Sequence, residues 1–265
     1  MPKLSFIFKA AASVFVIGNY IVLATIAKFF LDDEYTRRHF FLKQVKKHSK
    51  ILLCLLDIEV VVENKERIHH RKNYMMLGNH LSYLDPLLIS SIEPTCFVTS
   101  MDMREVPVLG LLTEIGGCLY VNRKDKSNIT KEIENITAGL QQGFHVAIFP
   151  EATSTNGSKV LPFKRSLLSA AVQAQKDILP FVIQYESIDG ELVNSKNRDS
   201  LCWYGDMGFA PHFFGLMKKN CIRIRVSFLE EIPVDINSTR DQLVELAFAK
   251  ISSHYKSIQN EEQHP

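Results

Sequence analysis

The chain has 265 residues, 46% of them hydrophobic and 23% charged, and its 31 basic side chains against 29 acidic ones leave a formal net charge of +2. That apolar content over that length can bury a sizeable core, while so even a charge balance excludes a nucleic-acid binder that depends on a global basic field. Its five cysteines, Cys54, Cys96, Cys118, Cys202 and Cys221, are odd in number and far apart, with neither a Cys-x2-Cys nor a histidine at ligand spacing, so no disulfide framework and no metal site is expected.

The first predicted element is an apolar helix. Residues 10–27 are eighteen positions without a charge. At about 1.5 Å per residue they make a helix of about 27 Å, just short of a bilayer's hydrocarbon core, so it spans the membrane or lies half-inserted. A secretory signal peptide is the alternative, because Lys3 and Lys9 precede the run; only Ala24-Thr25-Ile26-Ala27 offers small residues before Lys28, and the run is long for that purpose. Next, Arg37, Arg38, Lys43, Lys46, Lys47 and Lys50 alternate with Phe40, Phe41, Leu42, Val45, Ile51 and Leu52. This is the pattern of a basic amphipathic helix for membrane attachment, and also that of a surface helix packed on its own domain. Basic residues after the apolar segment outnumber those before it, which places the rest of the chain on the cytoplasmic face.

From residue 58 onward strands and helices alternate. Residues 58–62, 74–77, 96–99, 118–121, 146–149, 179–184 and 222–228 read as strands, and 86–92, 129–142, 164–175 and 239–258 as helices. The expected fold is α/β, a mainly parallel central sheet covered by helices. Without a Pro/Gly/Ser-rich linker or an internal repeat, one catalytic domain over 58–260 follows membrane-anchoring helices over 1–57. His69-His70, ahead of Arg71 and Lys72, reads as a solvated turn rather than a metal site. The run 202–209, which carries Trp203 beside two glycines, reads either as a pocket wall or as a satellite core cluster under a long loop.

Two polar clusters stand at the ends of apolar strands. In the first, Asn79-His80-Leu81-Ser82-Tyr83-Leu84-Asp85-Pro86 follows residues 74–77, with Gly78-Asn79 as a chain reversal and Asp85-Pro86 as N-cap and first helical position. In one continuous helix His80 and Asp85 would point roughly 140° apart, so they meet only if the loop folds back. If it does, Asp85 accepts from one imidazole nitrogen and leaves the other as a general base. In the second cluster, residues 146–149 lead into Pro150-Glu151-Ala152-Thr153-Ser154-Thr155-Asn156-Gly157 and then Leu161-Pro162-Phe163-Lys164-Arg165. It delivers a carboxylate and hydroxyls to a strand's carboxyl end. A plain histidine-bearing loop and a surface turn are the alternatives.

Together the two clusters resemble the glycerophospholipid acyltransferase family, whose first block reads Asn-His-x4-Asp and whose third reads Phe-Pro-Glu-Gly-Thr-Arg-Ser. Asn79, His80 and Asp85 match the first block, and Phe149, Pro150, Glu151 and Thr153 are in register with the third. Residues 117–123, ending in Arg123, look like the second block, and 178–182 like the fourth. The resemblance implies the same α/β architecture and transfer of an acyl chain from a thioester to a lipid hydroxyl, without a covalent nucleophile. His80 would be the general base and Asp85 its orienting partner, with Asn79 and Thr153 in the substrate site and Glu151 orienting acceptor hydroxyls. Backbone amides at the Asn79 and Gly117 turns would hold the oxyanion. Arg123 would bind acceptor phosphate. Where the family has Gly-Thr-Arg this chain has Ala152-Thr153-Ser154, so Lys164 and Arg165 are nominated in place of the missing arginine.

No cofactor is expected; acyl-CoA or acyl carrier protein brings the acyl group, and membrane lipids are the other partners. The leading acceptor is the lyso-lipid 1-acylglycerol 3-phosphate, giving phosphatidate, and the runner-up another lyso-lipid such as lyso-ornithine lipid. Outside that class stand a catalytically silent lipid-binding membrane protein and a serine hydrolase, the latter disfavoured because no Gly-x-Ser-x-Gly occurs.

Overall fold

The computed structural model describes residues 5–106, 108–122 and 126–259. Two long helices come first: α1, Phe6–Phe30, capped by the Ser5 hydroxyl, and α2, Glu34–Leu55, capped by the Asp33 carboxylate. There follow β1 (Ile58–Glu63), β2 (Met75–Gly78), α3 (Leu84–Ile92), β3 (Thr95–Ser100), α4 (Leu109–Ile115), β4 (Leu119–Val121), α5 (Ile129–Gln141) and β5 (His145–Ile148). The chain continues through α6 (Ser169–Ala174), β6 (Ile178–Ile188), β7 (Glu191–Leu192), α7 (Phe209–Met217), β8 (Ile222–Phe228) and α8 (Arg240–His254).

The strands form one eight-stranded sheet in the order β1-β8-β6-β2-β5-β3-β4, with β7 paired to β6. Among the strands of the described residues, β6 pairs antiparallel with β8 and β7 and the other pairings are parallel, so the expected mainly parallel sheet is the one the chain forms. In β2, at the centre, Met76 packs into a core shared with α2, α3 and β8, while Met75 and Leu77 pack on the opposite side with α5, α6 and α8. A strand buried on both faces has no polar side to show, which is why it reads as an unbroken apolar run.

The connections place the site. From β2 the chain leaves through α3 to β3, and from its neighbour β5 it leaves through α6 to β6, in the other direction along the sheet. α3 packs on one face of the sheet and α6 on the other, so the two loops part to opposite faces and open a crevice at the carboxyl ends of the two strands, where open α/β sheets hold their ligands. Both polar clusters of the sequence lie on these loops.

A stripe of α1, Lys9, Ser13, Tyr20, Ala24 and Ala27, is buried against the protein. Tyr20 donates its hydroxyl to the Ile115 carbonyl at 2.7 Å, and the Lys9 ammonium donates to the Lys219 carbonyl at 2.7 Å and the Asn220 amide oxygen at 3.2 Å. Residues flanking the stripe are half-buried and the opposite side is bare, with Phe15 74% and Phe29 80% exposed. With 25 residues and a mean hydropathy of 1.9 over its most apolar stretch, α1 is longer than the uncharged run alone, about 37 Å.

For α2 the structure corrects the amphipathic expectation. Phe41 packs against α1, and Leu42, Leu52 and Leu53 sit in the domain core, so its apolar side is occupied by protein and is not free to lie on lipid. Its exposed lysines, Lys43, Lys47 and Lys50, form a basic stripe at helical spacing. Leu52, Leu53 and Leu56 join the same core as Ile58, so packing runs without a break across residue 57.

Candidate active site

Every polar main-chain group of His80, Leu81 and Ser82 is bonded. The His80 amide donates to Glu151 Oε1 at 2.8 Å, and the Leu81 and Ser82 amides both donate to Asp85 Oδ2, at 2.6 and 2.9 Å. The three carbonyls accept from Thr155 N at 2.9 Å, Trp203 N at 2.9 Å and Asp85 N at 3.1 Å. With its main-chain donors and acceptors all engaged, the loop cannot rearrange without breaking several hydrogen bonds.

This closure answers how His80 and Asp85 meet. The loop folds back over the Asp85 carboxylate, and His80 Nδ1 lies 2.8 Å from Oδ2. Because a carboxylate only accepts, Nδ1 carries the proton. Among the described residues nothing bonds Nε2, and the imidazole keeps 21% of its surface exposed. Asp85 itself is fully buried, its other oxygen accepting from the Tyr185 hydroxyl at 2.8 Å. Its place differs from the N-cap expectation. α3 begins at Leu84 with Tyr83 at the cap position, and Asp85 sits in the first turn with its carboxylate turned back on amides ahead of the helix.

Neighbouring strands hold this loop from below. The imidazole of His80 stacks on the Phe149 ring, centroids 4.2 Å apart and planes 10° from parallel. Asn79 extends the β2–β6 ladder past its last backbone pair: its side-chain amide donates to the Ile183 carbonyl at 2.9 Å and its oxygen accepts from the Ile183 amide at 2.8 Å. Beneath it Gly78 has no room for a side chain, since a Cβ would fall 2.1 Å from the Phe181 ring.

Comparison with known proteins fits this geometry. A family model described as Acyltransferase matches residues 59–184, the span that holds both loops. The lyso-ornithine lipid O-acyltransferase of Rhizobium meliloti is 28% identical over 209 residues, covering 76% of this chain and 71% of that protein. The 1-acyl-sn-glycerol-3-phosphate acyltransferase of Neisseria meningitidis is 28% identical over 178 residues, covering 67% of each. Residues 59–184 are an acyltransferase-family domain. The chain's fold is that of a solved relative, the 1-acyl-sn-glycerophosphate acyltransferase PlsC of Thermotoga maritima, at a TM-score of 0.65 and 20% identity over 94% of this chain and 90% of that one.

In this acyltransferase several expected substrate contacts turn out to be held by the protein itself. Glu151 accepts from the His80 amide with one oxygen and from the Leu161 amide, at 2.6 Å, with the other, so it braces two loops instead of orienting an acceptor. Asn79, 1% exposed, has both ends of its amide engaged by β6. The amides of His80, Leu81, Ser82, Gly117 and Cys118 are likewise already bonded, which removes them as ready oxyanion donors. Thr153 is exposed, its hydroxyl 3.3 Å from the Ser154 carbonyl. Lys164 and Arg165 line an open groove with Asp241, and Arg165 pairs with that carboxylate at 3.2 Å. Among the described residues no hydrogen bond links Thr153, Lys164 or Arg165 to the side chains of His80 or Asp85. Arg123 lies outside the described residues.

Ala152 has a left-handed φ of +61°, at the position where the family block has glycine. Holding a Cβ there costs about 1 kcal/mol, so the backbone demand survives in this chain although the glycine does not. The C-terminal segment then covers the same loop. Tyr255 donates its hydroxyl to the Gly157 carbonyl at 2.7 Å, the Ile258 amide donates to the same oxygen at 2.9 Å, and Gly157, at φ +76°, leaves no space for a Cβ under Ile258.

The run 202–209 is a clamp on the loop that carries His80. Trp203 bonds Leu81, and Tyr83 packs edge-on against Trp203 and Phe209 while its hydroxyl lies 2.8 Å from His212 Nδ1. His212 Nε2 faces the Cys202 carbonyl at 3.1 Å, which fixes the proton on Nε2 and makes Nδ1 the acceptor from Tyr83.

Burial pushes the Glu151 carboxyl up to about 7, against the opposing pull of its two amide donors. A raised folded value means that the native state keeps its proton where the unfolded chain, titrating near 4.5, has lost it. Stability should therefore fall as pH rises from about 4.5 through about 7, and Glu151→Gln should remove that part of the slope. Urea midpoints of both proteins between pH 5 and pH 8 test this, since other titrating groups cancel in the difference. Parallel curves would rule it out.

Proposed function

We propose that this acyltransferase moves an acyl chain from acyl-CoA or acyl carrier protein to the free hydroxyl of a lyso-lipid, with His80 as general base. The observation that carries the reading is the fixed imidazole, whose Nδ1 proton is bound to Asp85 while Nε2 stays open. The acceptor hydroxyl gives its proton to Nε2 as its oxygen bonds the thioester carbonyl carbon, and the tetrahedral oxyanion collapses as the C–S bond breaks. The departing thiolate takes the proton from the imidazolium, so base and acid are one residue. A thioester is already a reactive donor, and positioning supplies much of the remaining barrier reduction.

The leading acceptor is 1-acylglycerol 3-phosphate, on which the Neisseria relative acts by its name. A lyso-ornithine lipid is the second reading, favoured by Ser154 at the place of the family arginine and by the Rhizobium relative's name. Purified enzyme offered both acceptors in competition with one acyl thioester decides between them. Transfer to the phosphate acceptor alone, weakened by Arg123→Ala at the level of its Michaelis constant, supports the first; transfer to the amino-acid-headed lipid alone supports the second; transfer to neither overturns both.

We also propose attachment to the cytoplasmic face of a membrane through the bare side of α1, aided by Lys43, Lys47 and Lys50 on α2. Phe15→Asp with Val22→Asp, at positions 74% and 57% exposed, should move the protein from the membrane pellet to the soluble fraction without loss of fold. Retention in the pellet would count against attachment by α1. Exposed Cys221 should react with an impermeant maleimide in inverted vesicles and not in intact cells; the reverse pattern would refute the orientation.

A further inference from the structure

The Leu81 and Ser82 amides and His80 Nδ1 supply three donors to the Asp85 carboxylate, and all three fall on Oδ2. The other oxygen, Oδ1, is fully inside the protein and is met by a side chain of β6, the strand beside β2: the Tyr185 hydroxyl at 2.8 Å, 100 residues along the chain. We propose that Tyr185 is a positioning residue for acyl transfer: it holds the Asp85 carboxylate in the rotation that presents Oδ2 to His80 Nδ1, and so keeps the open imidazole nitrogen in place. The inference rests on the general-base reading of His80 given above.

Three features of the strand support the assignment. Tyr185 is 2% exposed, and desolvation beside Asp85 holds its phenol well above its ordinary pKa, so the hydroxyl keeps the proton it donates. Two residues earlier, Ile183 is gripped through both its amide and its carbonyl by Asn79, which fastens β6 to the loop just ahead of His80. Immediately after Tyr185 the β6–β8 register slips: Tyr185 pairs with Ile224, but Ser187 pairs with Arg223. Such a bulge turns a strand locally and re-aims the side chains beside it. The catalytic loop is thus referenced to β6 at two points, backbone to Asn79 and hydroxyl to Asp85. A carboxylate with only Oδ2 bonded could pivot about its Cβ–Cγ axis; one with both oxygens bonded cannot without breaking a buried hydrogen bond.

Tyr185→Phe preserves the ring, its packing and the bulge, and removes the one hydroxyl. We expect kcat to fall about tenfold, the rate equivalent of one net buried hydrogen bond. The Michaelis constants for palmitoyl-CoA and for 1-acylglycerol 3-phosphate in mixed micelles should stay within about twofold, because the residue touches neither substrate. In a His80→Ala background the same change should have no further effect on the residual rate, since Tyr185 acts only through His80. Circular dichroism and the urea midpoint report on folding, and rates are taken per folded enzyme. An unchanged kcat in Tyr185→Phe, with His80→Ala inactive, overturns the positioning role alone and leaves a structural tyrosine. A tenfold loss that persists in the His80→Ala background overturns it as well, by showing an effect that bypasses the imidazole. Wild-type turnover in His80→Ala would overturn both this role and the general-base reading on which it rests.

Discussion

Replacing His80 with alanine should lower kcat at least about a hundredfold while leaving the protein folded, because general-base assistance is worth that much and the side chain is not a core residue. The loop around it is held by its main chain, and the bonds from Glu151, Thr155 and Trp203 to residues 80 and 81 all survive the substitution. Single-turnover transfer from a radiolabelled acyl thioester, with circular dichroism on the same preparation, measures both quantities. A folded His80→Ala protein that turns over at the wild-type rate would end the general-base mechanism.

Asp85→Asn should be as damaging to the rate and should also reach the fold. Asp85 takes donors from His80, Leu81, Ser82 and Tyr185 through its two oxygens, whereas asparagine has one acceptor atom and adds two donors. If the amide nitrogen faces the loop, the Leu81 and Ser82 amides are left buried and unpaired and the imidazole is driven to the tautomer that protonates Nε2. If it faces β6, it meets the Tyr185 hydroxyl, which must turn. The first arrangement abolishes the base; either costs about 1 to 3 kcal/mol for each donor left without a partner. Urea unfolding and turnover should therefore fall together in Asp85→Asn but separate in His80→Ala. A fully stable, fully active Asp85→Asn would show that the buried carboxylate is dispensable.

The strands were readable because buried parallel strands are apolar on both faces. All seven predicted ones are present, six of them within a residue at either end and β6 running four residues past its predicted end, and the two-residue β7 was missed. Helices announced themselves by length. The pattern over 129–142 is α5, but 164–175 is helical only at its end, after a 3-10 turn at Ser166–Leu168, and 239–258 stops at His254, where the chain leaves its helix to cover Gly157. α4 and α7 were missed: they span seven and nine residues and hold Gly110, Pro211 and Gly215, which read as loop signals in so short a window.

The site was legible where its chemistry is local. His80 and Asp85 are five residues apart, and their meeting could be stated as a condition that the loop had to satisfy. Glu151 was found for its charge and assigned outward, because a sequence does not reveal that two main-chain amides will claim both its oxygens. Tyr185 had no local signal at all. It follows an apolar strand like any edge-of-core tyrosine, and only the β2–β6 pairing, set by the whole sheet, brings it to Asp85.

The strap from the C-terminal end has a consequence for biosynthesis. Ribosomes deliver α1 first, so the apolar helix can reach a bilayer while the rest of the chain is unmade. The loop that carries His80, in contrast, waits for Glu151 and Thr155, then for Tyr185 and Trp203, and its outer wall at Gly157 waits for Tyr255 and Ile258, nearly the last described residues to leave the exit tunnel. With the attachment by α1 proposed above, a nascent or truncated chain lacking these last segments reaches the lipid surface before the loop that carries His80 is fully braced.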